Sequence, residues 1–176
     1  MVRVWDPLVR IFHWALVLSF AIAWISAESL DDLHIWAGYA AAALIGFRLI
    51  WGLIGPRYAR FTQFIKGPGT VLGYLKSMLR GSEPRYVGHN PVGGAMILAL
   101  LTSLGGTSWT GWLLTLPKWE RSDWLEEGHE IIAGVTLALV VLHIVGVIVA
   151  SWRHRENLVL SMVNGQKRSA SPDEIA

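Results

Sequence analysis

Histidines are the residues of this sequence best suited to chemistry, and four of the six lie in strongly apolar surroundings. These four are His13, His34, His129 and His143. Imidazole binds transition metals and transfers protons near neutral pH. Fourteen residues separate His129 from His143, and at about 100° per residue this is nearly four helical turns. The two rings would therefore share one helix face, about 21 Å apart, and serve separate sites.

Four long apolar stretches contain or border these histidines. The chain is 53% hydrophobic and only 16% charged, whereas a soluble domain is about 25% charged. Each stretch has enough residues to cross a bilayer, where backbone groups must hydrogen-bond within helices. The sequence predicts an all-α integral membrane protein, a four-transmembrane-helix bundle with helices at about 8–27, 33–54, 91–116 and 128–151.

Charge is distributed unevenly between the two ends of these helices. Basic residues dominate the amino terminus, the 55–90 loop and the carboxyl terminus, whereas acidic residues dominate the other two connections. The positive-inside rule then places both termini and the 55–90 loop in the cytoplasm. A basic composition could otherwise indicate nucleic-acid binding, but this distribution favours a membrane, and we predict no nucleic-acid partner.

One membrane domain is predicted over residues 1–157, followed by a cytoplasmic tail at 158–176. Asp6 and Asn90 each precede a proline and are candidate helix N-caps. The 55–90 loop is predicted to contain a short amphipathic helix on the inner membrane surface, because apolar residues recur there at helical spacing. In the tail, a weakly amphipathic stretch at 158–163 gives way to polar residues that we expect to be disordered.

The four intramembrane histidines form two pairs when they are ordered by depth. His13 enters from the inner side and matches His143, while His34 enters from the outer side and matches His129. Buried ionisable groups in a membrane are costly and usually have partners. Paired imidazoles in an apolar helical core suit haem, with one histidine on each axial position. The spacing thus predicts two stacked haems, each with one ligand from the fourth helix.

Two arginines could compensate the haem propionates. Arg48 lies fourteen residues after His34, on the same helix face and at the depth of the inner pair, and Arg10 lies three residues before His13. Snorkelling of Arg48 to the inner interface is the alternative. Glycines near the histidines, Gly38, Gly134 and Gly146, would make room for a flat macrocycle, although small residues also serve helix packing.

Other metal sites and proton transfer are weaker interpretations. Cysteine is absent, which excludes disulfides, iron–sulfur clusters, thiolate zinc sites and covalently attached c-type haem. A zinc or copper site needs more ligands converging on one point. A proton relay would also require carboxylates inside the spans, and their interiors contain none.

Several motifs together resemble the bacterial cytochrome b561 family, which includes the cytochrome b subunits of nickel hydrogenases. They span Val2 to about Asn157 and read V-R-V-W-D-P-L-V-R-I-F-H-W, H-I-W-A-G-Y, R-L-I-W-G-L-I-G-P-R, G-H-N-P-V-G-G, H-E-I-I-A-G and L-H-I-V-G. The resemblance implies a four-helix bundle with two b-type haems, held by histidines of the first, second and fourth helices. These correspond to His13, His34, His129 and His143.

The resemblance implies electron transfer across a bacterial inner membrane. The expected partners are membrane lipid, ubiquinone or menaquinone, and a periplasmic c-type cytochrome or other haem redox protein. Because two imidazoles fill both axial positions, no iron site is left open for oxygen. His89 and Asn90 are candidate polar groups for a quinone. Two alternative functions remain open. The chain could oxidise superoxide and reduce quinone, with Lys118 attracting the superoxide anion, or it could be a haem-containing anchor subunit of a hydrogenase-like complex. A homodimer also remains open.

Overall fold

A computed structural model describes residues 1–169, 171 and 174–175 of the chain. The tail predictions for residues 170, 172, 173 and 176 lie outside the described residues. Two short strands and seven α-helices are found in the described part of the chain. They are β1 (Val2–Arg3), α1 (Pro7–Ser26), α2 (Asp31–Ile54), α3 (Phe61–Phe64), α4 (Pro68–Arg80), α5 (Pro91–Leu114), α6 (Asp123–Arg153), α7 (Leu158–Asn164) and β2 (Gln166–Lys167).

The four predicted membrane helices are present as α1, α2, α5 and α6. Each is long and apolar enough to cross a membrane. Their ends agree with the predicted ends to within two residues, except that α6 begins at Asp123 rather than near residue 128. The extension has a physical reason, because Asp123 and Glu126 occupy its first turn and carboxylates interact favourably with a helix N-terminus. An apolar pattern alone does not reveal such a start.

Both predicted N-caps are confirmed. The Asp6 carboxylate accepts hydrogen bonds from Leu8 N at 3.0 Å and Val9 N at 3.2 Å. The Asn90 side-chain oxygen accepts from Gly93 N at 2.7 Å. These bonds satisfy amide groups that have no partner within the first helical turn. The starts of α1 and α5 are therefore fixed by local sequence.

The chain divides into two compact units. Unit 1 comprises Met1–Arg10, Ile50–Leu98 and Val141–Ala176, and unit 2 comprises Ile11–Leu49 and Ala99–Val140. Unit 1 contains α3, α4, α7 and both strands. Within it, the 55–90 loop forms a 3₁₀ turn at Arg57–Ala59 as well as α3 and α4. A short helix is present in this loop as α4, and its predicted place on the inner membrane surface stays a prediction.

The tail is ordered where the structure describes it, so the expectation of disorder after residue 163 is wrong for residues 164–169. β2 pairs antiparallel with β1, with Val2 opposite Lys167. Arg85, before α5, pairs with Glu156 at 2.8 Å and with Glu174 at 2.7 Å. The polar residues of the tail form ion pairs and backbone hydrogen bonds. Local hydropathy cannot distinguish such an ordered polar segment from a disordered one.

Candidate functional site

Two of the predicted ligands, His34 of α2 and His129 of α6, lie together in unit 2. Their ring centroids are 6.1 Å apart and their planes meet at 80°. Imidazole nitrogens bind first-row metals at about 2 Å, so two rings on opposite sides of one metal have centres about 6 Å apart. An ordinary edge-to-face contact spans a similar distance. The hydrogen bonds of the two rings therefore carry more weight.

His34 is held in one tautomer by the backbone of α1. Its Nδ1 lies 2.8 Å from the carbonyl oxygen of Ala23. A carbonyl can only accept, so Nδ1 must carry the proton and donate it. Nε2 then keeps the lone pair that a metal requires. A backbone carbonyl receiving the other N–H is the usual arrangement around a metal-binding histidine.

His129 contacts a hydroxyl, and this contact is compatible with the same tautomer. Its Nδ1 lies 3.0 Å from Oγ1 of Thr110 on α5. The Thr110 hydroxyl is in position to donate its one proton to the carbonyl of Gly106 at 2.9 Å or of Thr107 at 3.1 Å. Its oxygen is then left to accept from His129 Nδ1. Gly111 admits the ring, because a Cβ there would lie 3.0 Å from His129 Cε1.

A group of hydroxyls joins α5 to α6 below this histidine. Thr136, one of the most deeply buried residues at 0% exposure, lies seven residues after His129 and therefore on the same face of α6. Its Oγ1 is 2.6 Å from Ser103 Oγ and 3.2 Å from Thr107 Oγ1. Buried hydroxyls with partners fix the register of two helices. They therefore position His129 without introducing a charge.

Arg48 is buried at the far end of the α2 face that begins with His34. Its exposed fraction is only 3%, and the residues between, Ala41 and Ile45, are also buried. A side chain this enclosed does not extend to a membrane surface, which weighs against snorkelling. A buried guanidinium is a suitable partner for an anionic group. Its predicted role beside a haem propionate stays a prediction.

The remaining predicted site residues lie on the predicted helices. His13 is half-buried in α1, with its ring 5.0 Å from Trp14. His143 is half-buried in α6. Arg10 belongs to unit 1, lies beside Gly165 and has a buried Nε with no hydrogen-bond partner among the described residues. The pairing of His13 with His143 stays a prediction from sequence spacing.

The three glycines near the histidines do not serve close helix packing. A Cβ on Gly38, Gly134 or Gly146 would have no atom of the described chain within 4 Å. Gly134 and Gly146 are exposed, and the role of these glycines beside a flat group stays a prediction.

The residues present fit haem better than a bare metal ion. No group of three or more His, Cys, Asp or Glu side chains in the described part of the chain could hold an ion. Two imidazoles alone are a complete protein ligand set only when the other positions are filled by a macrocycle. The Nδ1 contacts of the two rings, the ring spacing and the uncharged surroundings all suit such a group.

The candidate quinone residues have other contacts. Asn90 caps α5, as described above. The His89 ring lies 4.5 Å from Trp5 and 4.7 Å from Phe64 by ring centroids, all within unit 1. His89 is therefore part of an aromatic cluster, and its interaction with a quinone stays untested.

Four candidate membrane spans and a pair of oriented imidazoles define a multi-pass membrane protein of the haem-binding class. The sequence model of the family described as prokaryotic cytochrome b561 matches residues 4–165. The chain thus belongs to the prokaryotic cytochrome b561 family, whose members bind haem b, and is a membrane electron-transfer protein. No curated protein and no solved structure matches it.

Sequence reasoning missed Thr110 and the Ala23 carbonyl. A signal for the threonine existed, because Ser103, Thr107 and Thr110 recur at spacings of four and three in an otherwise apolar span. These spacings place the three hydroxyls along one helix face. For the Ala23 carbonyl there was no signal, since any residue has one.

Proposed function

We propose that the chain is a di-haem b-type cytochrome that carries electrons across the bacterial inner membrane between the quinone pool and a periplasmic redox partner. The observation that carries the proposal is the His34–His129 pair, with both Nδ1 atoms engaged and both Nε2 atoms left to bind iron. Haem b supplies a one-electron couple between Fe(III) and Fe(II).

Each residue of the pair has a definite task in this proposal. His34 and His129 would hold the haem through their Nε2 atoms and would leave no position on the iron for water or oxygen. The Ala23 carbonyl and Thr110 keep the rings oriented and raise their basicity by accepting their Nδ1 protons. None of these groups is charged, so the protein around the iron would need to rearrange little when the haem gains or loses an electron.

The second haem of the proposal is assigned to His13 and His143. Its support is the continuity of α6, which contains both His129 and His143 fourteen residues apart in one helix. Arg48 and Arg10 would balance the propionates on that side. The support here is sequence spacing and the burial of Arg48.

Exposed acids support a basic periplasmic partner. In the two connections predicted to face the periplasm, and at the helix starts that follow them, the carboxylate residues are exposed: Glu28, Asp31, Asp32, Glu120, Asp123, Glu126 and Glu127. Such a surface would steer a cationic cytochrome c. Electron transfer to such a cytochrome should slow as salt is raised, because screening shortens the reach of the charges. A rate independent of salt would contradict this part of the proposal.

The test is to purify the full chain from haem-replete cells and to measure haem per protein by the pyridine haemochrome method. Two haems of type b are expected, and both should be reduced by added quinol. A colourless protein, or one haem only, would refute the di-haem assignment. Absence of quinol-dependent reduction would instead favour the anchor alternative.

Superoxide oxidation is tested with the same preparation. Lys118 lies over the Trp119 ring at 4.7 Å, in an open groove that Arg121 and Asp123 also line. Rapid haem reduction by superoxide without any protein partner would favour this alternative. The adjacent carboxylates would weaken the attraction for an anion, so we expect slow reduction.

A further inference from the structure

Helix α4 has two chemically different faces. Tyr74 is buried, and Val71 and Met78 beside it are partly buried, so this face packs on unit 1. Leu72, Leu75 and Leu79 follow at spacings of three and four and form an apolar stripe along the other side. Their exposed fractions are 57%, 40% and 81%. The leucine stripe is therefore not covered by the described part of the chain.

The position of α4 relative to the end of α6 is fixed by short hydrogen bonds within unit 1. Arg153, the last residue of α6, donates from Nη1 to the Met78 carbonyl at 2.7 Å and to Glu83 at 2.7 Å. The Tyr74 hydroxyl donates to the Pro84 carbonyl at 3.1 Å. Since α6 is one of the candidate membrane spans, α4 is held beside the end of that span, where the span would leave the apolar layer.

Positive charge lies directly beside the leucine stripe. Lys76 and Arg80 are exposed, and neither forms an ion pair or side-chain hydrogen bond with the part of the chain that the structure describes. The helix from Pro68 to Arg80 contains no acidic residue. It ends at Gly81, whose positive φ of 70° closes the last turn. An exposed apolar stripe bordered by cations is complementary to the boundary between acyl chains and anionic headgroups.

We propose that α4 is a lipid-binding surface. The leucine stripe enters the boundary between headgroups and acyl chains, and Lys76 and Arg80 bind the phosphates of anionic phospholipids. The proposal is independent of haem and of electron transfer, because it rests on α4, Arg153 and their contacts alone. A second copy of the chain or another protein covering the same stripe is distinguished by the experiment that follows.

The first test locates the stripe by spin labelling, for which the absence of native cysteine is an advantage. Leu75→Cys places a label in the stripe. Gly73→Cys is the matched control two residues away, on the opposite side of α4, where an added Cβ meets no atom within 4 Å. The full chain is reconstituted in nanodiscs containing phosphatidylglycerol. The label at residue 75 should be accessible to oxygen and shielded from aqueous nickel chelate, and the label at residue 73 should show the reverse.

Two outcomes of this test would overturn the proposal. A label at residue 75 that is as accessible to the nickel chelate as the label at residue 73 would mean that the stripe faces water. A label shielded from both oxygen and nickel would mean that protein covers it.

The second test concerns the charges. The preference of the detergent-purified chain for phosphatidylglycerol over phosphatidylcholine is measured by native mass spectrometry. In the Lys76→Gln/Arg80→Gln variant we expect this preference to fall by about fivefold for each charge removed. Arg57→Gln/Lys66→Gln removes the same charge from the same loop away from the stripe and should change it little. Equal effects of the two variants would refute a specific phosphate contact.

Discussion

The two units of this chain position their important side chains by different means. In unit 2, His34 and His129 are oriented by a backbone carbonyl and by a threonine hydroxyl. In unit 1, the carboxyl-terminal segment and the segment before α5 are joined through Arg85, whose side chain is 4% exposed and which contacts Glu156 and Glu174. One unit uses neutral hydrogen bonds and the other uses ion pairs.

The difference follows from what surrounds each site. A charge inside a membrane span is costly, whereas a hydroxyl can satisfy itself on its own helix backbone while still accepting a hydrogen bond. Outside the spans, water and several donors share the cost of burying a carboxylate. Haem binding in unit 2 should therefore depend on single hydrogen bonds. The stability of the tail in unit 1 should depend on charged side chains and on pH.

The largest effect is expected from removal of a ligand in unit 2. His129→Ala should reduce haem from two per chain to one, because one axial imidazole cannot hold a haem as two do. Haem per protein and the Soret spectrum are the measurements. His154→Ala, a histidine just beyond α6 with no predicted ligand role, is the control and should retain both. Two haems in the His129→Ala chain would refute the assignment.

The next effect is expected from the ion pairs of unit 1. Arg85→Met removes the cation that Glu156 and Glu174 share, which should open the tail about a hundredfold more often. Proteinase K cleavage between residues 164 and 169 measures the opening, because slow cleavage follows the open population. Arg121→Met, whose side chain is 93% exposed, should leave cleavage unchanged. Equal resistance of all three chains would show that Arg85 does not hold the tail.

Elements decided by local pattern could be predicted from the sequence, and elements decided by distant contacts could not. Apolar length gave the four spans, and the Asp6 and Asn90 caps were evident from the following prolines. The ordered tail depends on Arg85, 71 residues before Glu156, and polarity alone suggested disorder. At the site, the spacing of the histidines along the sequence identified them as candidate ligands. The contact between Thr110 and His129 depends on how α5 and α6 are aligned, and the residue pattern of one helix carries no information on that alignment.

A smaller effect is expected from the hydroxyl that orients His129. Thr110→Val preserves shape but removes the acceptor for Nδ1, so the ring becomes less basic and stabilises Fe(III) less. We expect haem affinity to fall by about tenfold and the midpoint potential of one haem to rise. Transfer of haem to apomyoglobin and a redox titration measure the two.

Two variants on α5 separate this role from a general effect of substitution. Thr110→Ser keeps the hydroxyl and should restore both values. Thr102→Val alters an exposed threonine of the same helix and should be neutral. If Thr110→Val and Thr102→Val behave alike, Thr110 does not orient the ligand.

The smallest effect is expected from mild acid, and it should distinguish the units. Hydrogen bonds from Ser171 and Arg85 lower the pKa of Glu174 to about 2, and the pKa of Glu156 is also lowered because its bonds to Arg85 and the Arg168 amide outweigh burial. Carboxylates with lowered pKa values stabilise the fold fully above their ordinary pKa of about 4.5, and this stabilisation is lost as pH falls towards 2. Amide protection factors of β2 should therefore be constant between about pH 7 and 5 and fall below that.

Protection around the Ser103–Thr136 hydroxyl pair should persist when that of β2 is lost, because these groups do not titrate in this range. Loss of β2 protection already above pH 5 would contradict the ion-pair account of unit 1.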